Sequence, residues 1–365
     1  VGKRRTHAGA KTCDNCPMNL KFWKTSYYST SSDGSTAGSI FRILFGLIAI
    51  YLIVAAAIGI WWSREPDLFD VTANAQSYAK EDGVEKLVTG YTTATAFHRV
   101  AETLLKKNGG YISNDKLPPG LWLDNITNWE FGVLTQIRDM SRSMRIDFAR
   151  SQSQSAEDKD LQLAEGQFFF DNSSWIFPRT EDEYTKGNEL VRSYAKRLAS
   201  EADADGQFYA RADNLQKWLE GVASRLGNLS QQLSASVGKR QLDLALAGDA
   251  NATQSTETAS DASVKTPWLA LDDVFYEARG QTWALIHLLR AVEVDFKDVL
   301  EDKNAAVSLR QIVRELEGTQ ETVLSPIILN GEGLGFVANH SLVMGSYISR
   351  ANAGIIDLQA LLSSG

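Results

Sequence analysis

The sequence predicts an all-α protein: one N-terminal transmembrane helix followed by an antiparallel helical bundle outside the cytoplasm. Three observations predict it. Residues 39–62, SIFRILFGLIAIYLIVAAAIGIWW, hold twenty consecutive residues from Ile43 with neither charge nor proline. As a helix that run is roughly 30 Å long, about the thickness of a bilayer's hydrocarbon core. Beyond it, apolar residues return every three or four positions in stretch after stretch, the period of a helix with one buried face. Sustained alternation of β-branched and polar residues, the mark of strands, is almost nowhere present.

Residues 1–38 read as a basic cytoplasmic tail, closing in a Ser/Thr/Gly-rich stretch over 26–38. Lys3, Arg4, Arg5, Lys11, Lys21 and Lys24 precede the apolar run and Arg42 lies at its start, whereas Arg64 and the acids Glu65, Asp67 and Asp70 come after it. The positive-inside rule places the N-terminus in the cytoplasm and the large C-terminal part across the membrane. The chain's two cysteines form Cys13-Asp14-Asn15-Cys16. Zinc prefers four ligands, and this knuckle offers two thiolates with His7 as a third. A zinc or iron–sulfur site at Cys13 and Cys16 is therefore expected only if it is shared with another chain. A redox role would require a βαβ setting that is missing, and two plain cytosolic thiols is the simpler reading. No other cofactor is expected.

The span, 39–62, reads as a retained anchor rather than a cleaved leader. Its one small-x-small cleavage signal, Ala55-Ala56-Ala57, lies inside the apolar run. Arg42 is placed to snorkel to the headgroups, and Trp61 and Trp62 to sit at the opposite interface. After residue 42 the chain carries thirty Lys/Arg against forty-three Asp/Glu. A part this acidic excludes non-specific nucleic-acid binding. It also lacks cysteine, so its core must hold without disulfides, and about three hundred residues bury enough surface for that.

Residues 63–90 read as an irregular membrane-exit linker with Pro66 and several acids. A helical section is expected over 91–247. Tyr91–Lys107 sets Ala94, Phe97, Ala101, Leu104 and Leu105 on one face and ends at Asn108-Gly109-Gly110. Asn128–Arg150 is the clearest amphipathic stretch, with Trp129, Val133, Ile137, Met140, Met144 and Phe148 on one stripe. Arg138, Arg142 and Arg145 form a basic strip beside it: a docking strip for an acidic partner, or a face that pairs with acids of the same domain. Phe168-Phe169-Phe170 and Trp175-Ile176-Phe177 read as a loop pinned to the core. Thr180 reads as a helix cap ahead of Glu181, Asp182 and Glu183. Over Gln207–Ser236, Leu215, Leu219, Val222, Leu226, Leu229 and Leu233 alternate by four and three, a heptad-like seam for internal packing or self-association.

The low-complexity stretch 248–266 reads as a mobile surface loop. A second helical section, 267–365, is expected to pack on the first. It holds helices over Trp268–Lys303 and Ala305–Thr322, a break at Pro326 and Gly331-Glu332-Gly333-Leu334-Gly335, and a last helix over Phe336–Leu362.

Catalytic signals are thin. His98, His287 and His340 have no second ligand at H-E-x-x-H spacing, and no G-x-S-x-G elbow is present. Gly331-x-Gly333-x-Gly335 lacks the preceding strand of a dinucleotide fingerprint. Acidic pairs such as Asp272-Asp273 show no EF-hand order.

Several runs carry a resemblance: WSREPDLFDV, YTTATAFHRVAETLLKKNGGYISND, PPGLWLDNITNWEFGVLTQIRDMSRSMR, ARSQSQSAEDKDL, FYARADNLQKWLEGVASRLGNLSQQLSASVG and WLALDDVFYEARGQTWAL. Over roughly residues 60–350 the chain resembles an uncharacterised family of proteobacterial inner-membrane proteins, a domain of unknown function. The resemblance implies a Gram-negative source and a periplasmic bundle; it transfers no catalytic residue, and the cysteine-bearing tail lies outside it. The expected function is a non-enzymatic, membrane-anchored periplasmic scaffold or accessory subunit of an envelope complex. Its expected partners are the lipid bilayer and another inner-membrane or envelope protein, or a second copy of itself, with no nucleic acid. Its contacts would run through Arg138, Arg142 and Arg145 or through Leu215, Leu219, Val222 and Leu226, if either surface is exposed. The alternative is an envelope hydrolase acting on peptidoglycan or lipid, using His340 and a carboxylate in a cleft.

Overall fold

The computed structural model describes residues 36–151, 156–200, 205–241, 262–325, 327–332 and 336–364. Cys13 and Cys16, most of the 248–266 stretch and Gly333–Gly335 lie outside the described residues. The chain divides into two compact units, Val1–Leu52 and Ile53–Gly365.

In the first unit the described residues belong to helix α1, Thr36–Trp62, whose last turns enter the second. Residues 38–62 are long and apolar enough to cross a membrane, by length and composition. Its large apolar side chains, from Ile40 to Val54, are exposed rather than packed on protein, and Arg42 is exposed near its start.

The second unit is a helical bundle. The stretch expected as an irregular linker contains a helix, α2, Val71–Asp82. Asp70 caps it by accepting from the Thr72 and Ala73 amides, and Gly83 ends it at φ +70. Its buried face is only Val71, Ala75 and Ala79, too weak a stripe to announce itself. Then come α3, Tyr91–Lys106, and α4, Asp124–Ser143, which runs on as one π-helical turn through Phe148. Next are α5, Lys159–Phe168, α6, Thr180–Ala199, and α7, Ala212–Ser234. Residues 207–211 are not helical as expected, because the chain there runs beside the end of the π turn and the Tyr209 amide donates to the Phe148 carbonyl. A short antiparallel pair, β1 (Lys239–Gln241) and β2 (Ala262–Val264), is the only ladder among the described residues. The last section is α8, Leu271–Asp295, α9, Lys297–Asp302, α10, Ala306–Glu317, and α11, His340–Ser363.

Most neighbouring helices run antiparallel. Gly227 and Gly345 on α7 and α11 face Asn352 and Leu233 respectively, so the two helices run oppositely. Between α10 and α11, Glu315 pairs with Arg350, and Gly318, just past the end of α10, lies against Tyr347. The exception is central. Asn128 of α4 meets Asp273 of α8, and Gln136 meets Gln281, eight residues further along both helices. These two therefore run the same way, which the intervening helices α5 to α7 make possible. They approach backbone to backbone: a Cβ on Gly132 or Gly280 would overlap the Glu277 or the Trp129 carbonyl oxygen. Trp129 and Trp283 meet at a tilt beside this crossing with ring centroids 5.2 Å apart, both buried. One continuous apolar core joins all the longer helices of the unit.

Candidate functional site: the junction between the apolar helix and the bundle

A densely tied place in the second unit is where α1 ends and the chain enters the bundle. Four successive segments are held down there. Gly59, on the last turns of α1, is buried, and a Cβ on it would stand 3.5 Å from Pro119 and 3.6 Å from Leu123. The Trp62 ring lies over Gly109, whose φ of +84 and missing side chain make the room. Glu65 then forms a bidentate pair with Arg279 of α8, at 2.6 and 2.9 Å. The same guanidinium donates to the Thr319 and Glu321 carbonyls. Both side chains are largely buried, so the planar fork is fully used and the pair is shielded from salt.

Phe69 closes the strap. Its ring stacks on His287 with centroids 3.8 Å apart, and its amide donates to His287 Nε2 at 3.0 Å. Because Nε2 accepts, the proton sits on Nδ1, which donates to the Trp283 carbonyl at 2.8 Å. Burial holds this imidazole neutral and pushes its pKa down to about 3. His287 is thus a structural peg, as is His98, whose Nδ1 meets the Asn188 carbonyl and whose pKa burial also lowers.

A second buried knot holds the loop after α3. Glu130 of α4 is fully enclosed, pairs with the Lys107 ammonium at 2.5 Å and accepts from the Ile112 and Ser113 amides. Burial raises its carboxyl pKa, against the pull of Lys107 and the donors. At the other end of α8, Asp295 accepts from the Thr93 amide and hydroxyl, each at 2.6 Å. It caps α3 from a distance, where Gly90 offers no side chain. Burial pushes its carboxyl up to about 6 despite those donors.

The residues expected to bind partners are used within the domain. Arg138 donates to the Phe168 and Phe170 carbonyls, Arg142 pairs with Glu165, and Arg145 pairs with Glu157 and Glu165. Within the domain the strip does pair with acids, because α5 and the segment before it bring Glu165 and Glu157 alongside α4. Leu215, Leu219, Val222 and Leu226 are all buried in the core, where α7 packs against α11. The seam is therefore enclosed, whereas along the strip Arg142 is exposed and Arg138 and Arg145 are partly so. Trp61 faces outward from α1, whereas Trp62 is spent on the bundle. Thr180 is not a cap: its hydroxyl donates to the Asp171 and Ser174 carbonyls, fastening the preceding loop. That loop is pinned at Phe168 but not at Trp175, Ile176 and Phe177, which are exposed.

His340 Nδ1 accepts from the Leu329 amide, and the residue borders an open recess shared with Phe275, Arg279, Glu321, Met344 and Tyr347. No carboxylate is bonded to it among the described residues. Nor, among them, is there a group of three or more His, Cys, Asp or Glu placed to hold a metal.

Fold and junction together define a class: a helical bundle strapped to the end of an N-terminal apolar helix. The chain belongs to DUF2333, a family of uncharacterised proteins conserved in bacteria, whose model matches residues 35–365. The match begins ahead of the apolar helix, so that helix is part of the family pattern while the cysteine-bearing tail is not. No curated protein and no solved structure matches the chain.

Proposed function

We propose that the protein is a non-enzymatic, single-pass inner-membrane protein with a cytoplasmic N-terminus, whose periplasmic bundle serves as a scaffold or accessory subunit of an envelope complex. The observation that carries this reading is the junction. Glu65–Arg279 and Phe69–His287 spend buried polar groups on holding the exit segment to α8. Such groups are costly to bury and strongly destabilising to break. A domain that only needed a tether would do with a flexible linker. Fixing the bundle on the last turns of α1 suits a protein whose task is to present a surface at a set distance from the membrane. The partner is another inner-membrane or envelope protein, or a second copy of the chain. Crosslinking in cells, followed by gentle-detergent purification of the full chain, tests this. A defined neighbour should be captured, and Glu65→Ala should reduce its yield without unfolding the bundle. A lone monomer with no crosslinked neighbour would overturn the reading.

A further inference from the structure

Exposed large apolar side chains stand on two neighbouring loops of the second unit, apart from a separate exposed set at Leu324, Ile327, Phe336 and Val343. Leu117, Leu121 and Trp122 lie between α3 and α4, and Trp175, Ile176 and Phe177 between α5 and α6; all six are between 50% and 87% exposed. The two loops form one surface. Tyr111 donates to the Asn172 carbonyl, Asn114 donates to the Ser174 carbonyl and to Glu181, and Trp62, Leu117, Pro119 and Trp175 line a common recess. That surface stands beside the end of α1. Pro119 and Leu123 pack at Gly59, one turn short of Trp62, and Ala55 and Gly59 are buried on one face of the helix. Trp268 and Leu269, also exposed, precede the first turn of α8, which meets the first turns of α4 at Asn128–Asp273. The same end of the bundle therefore gathers these chains too.

Exposed apolar patches of this kind mark an interaction surface, since isolated soluble domains keep theirs small. We propose that the occupant is the lipid bilayer itself: the two loops form a foot that dips into the headgroup zone of the leaflet on the domain's side. The inference rests on α1 being a membrane span, as proposed above. Gly59 is three residues, about 4.5 Å along a helix, from Trp62. A loop packed at Gly59 thus shares the depth at which the span leaves the hydrocarbon. Trp is the residue most favoured there, with an apolar body for the acyl chains and an indole N–H for the headgroups. The loops stay in the interface because their irregular backbone needs hydrogen-bonding partners that hydrocarbon lacks. The foot gives the scaffold a second purchase on the membrane, so that it does not swivel about α1.

The test uses the full chain with Cys13→Ser and Cys16→Ser, carrying single environment-sensitive fluorophores at Phe177→Cys, Trp122→Cys, Val307→Cys or Ile48→Cys. Val307 is exposed beyond the far end of α8, and Ile48 is exposed within α1. Each protein is placed in phosphatidylethanolamine–phosphatidylglycerol vesicles bearing quenchers at shallow or deep acyl positions. The labels at 177 and 122 should be quenched by shallow quenchers several-fold more than the label at 307, and the label at 48 by deep quenchers. Quenching at 48 without quenching at 177 and 122 overturns the foot and leaves the anchor standing. No quenching at 48 overturns both. Shielding of 177 and 122 in native membranes but not in pure lipid vesicles assigns the patch to a protein partner and overturns the lipid assignment. Ile176→Cys and Leu121→Cys serve as replacements if either label alters the circular dichroism of the bundle.

Discussion

Lys107 and Glu130 set the terms at the scale of single residues. Each is enclosed, and neither has water to fall back on. Removing one partner strands the other charge, at a cost of about 3–5 kcal/mol. Lys107→Met should therefore destabilise the bundle by about that much in urea titrations of the detergent-solubilised chain, and Glu130→Gln added to it should restore part of the loss. His287 makes a pH prediction. Its folded pKa, about 3, lies below its ordinary 6.5, so the unfolded chain binds more protons between those values. Stability from this group is complete above about pH 6.5 and declines as pH falls toward 3, by about 1.4 kcal/mol per unit. Asp295 works oppositely: raised from 3.8 to about 6, it costs stability as pH climbs between those values. The His287 contribution is best read as a difference, and His287→Gln, which has no proton to gain, should be less acid-sensitive than the wild type between pH 6.5 and 4. Equal acid sensitivity of the two proteins would show that the imidazole is not held neutral.

Elements show why a stripe on a helix does not declare its partner. The α7 seam is a heptad pattern, and the pattern is the same whether it meets a second chain or a helix of its own. Here it meets α11, more than a hundred residues later. Leu219→Ala should consequently cost about 2–5 kcal/mol through transfer and cavity terms, with the mass of the solubilised particle unchanged in light scattering. A change of mass would mean that the seam also joins chains. The basic strip of α4 obeys the same logic: Arg138 and Arg145 are consumed by carbonyls and acids of neighbouring segments. α2 was hidden for the opposite reason. Its alanine face contributes little to periodicity, and it is α3 and α8 packing on that face that make the helix worthwhile.

At the scale of the whole molecule the proposed orientation rests on the charge distribution about the apolar helix. Basic residues precede the apolar helix and an acidic bundle lies beyond it. A phosphatase fused after Gly365, active only in an oxidising compartment, should be active in cells, and the N-terminus of the mature protein should not fall beyond Ala57. A fusion active only as a cytoplasmic reporter would reverse the orientation. The all-helical class was legible because several helices carry their own amphipathic stripe, as α4, α7 and α10 do. The junction was not. WSREPDLFD reads as an irregular linker until Arg279 and His287 arrive from α8 to bind it.

Sequence by itself determined the single apolar run, the sign change of charge across it and the helical period of the chain beyond it, because these depend on residues within a few turns of one another. Tertiary structure alone decided which stripes face inward, that α4 and α8 run side by side in one direction, and that the exit segment is a strap. Those outcomes depend on pairs such as Glu65 and Arg279, whose meeting no local pattern encodes: a buried charge finds its partner by the folding of about two hundred intervening residues, not by spacing.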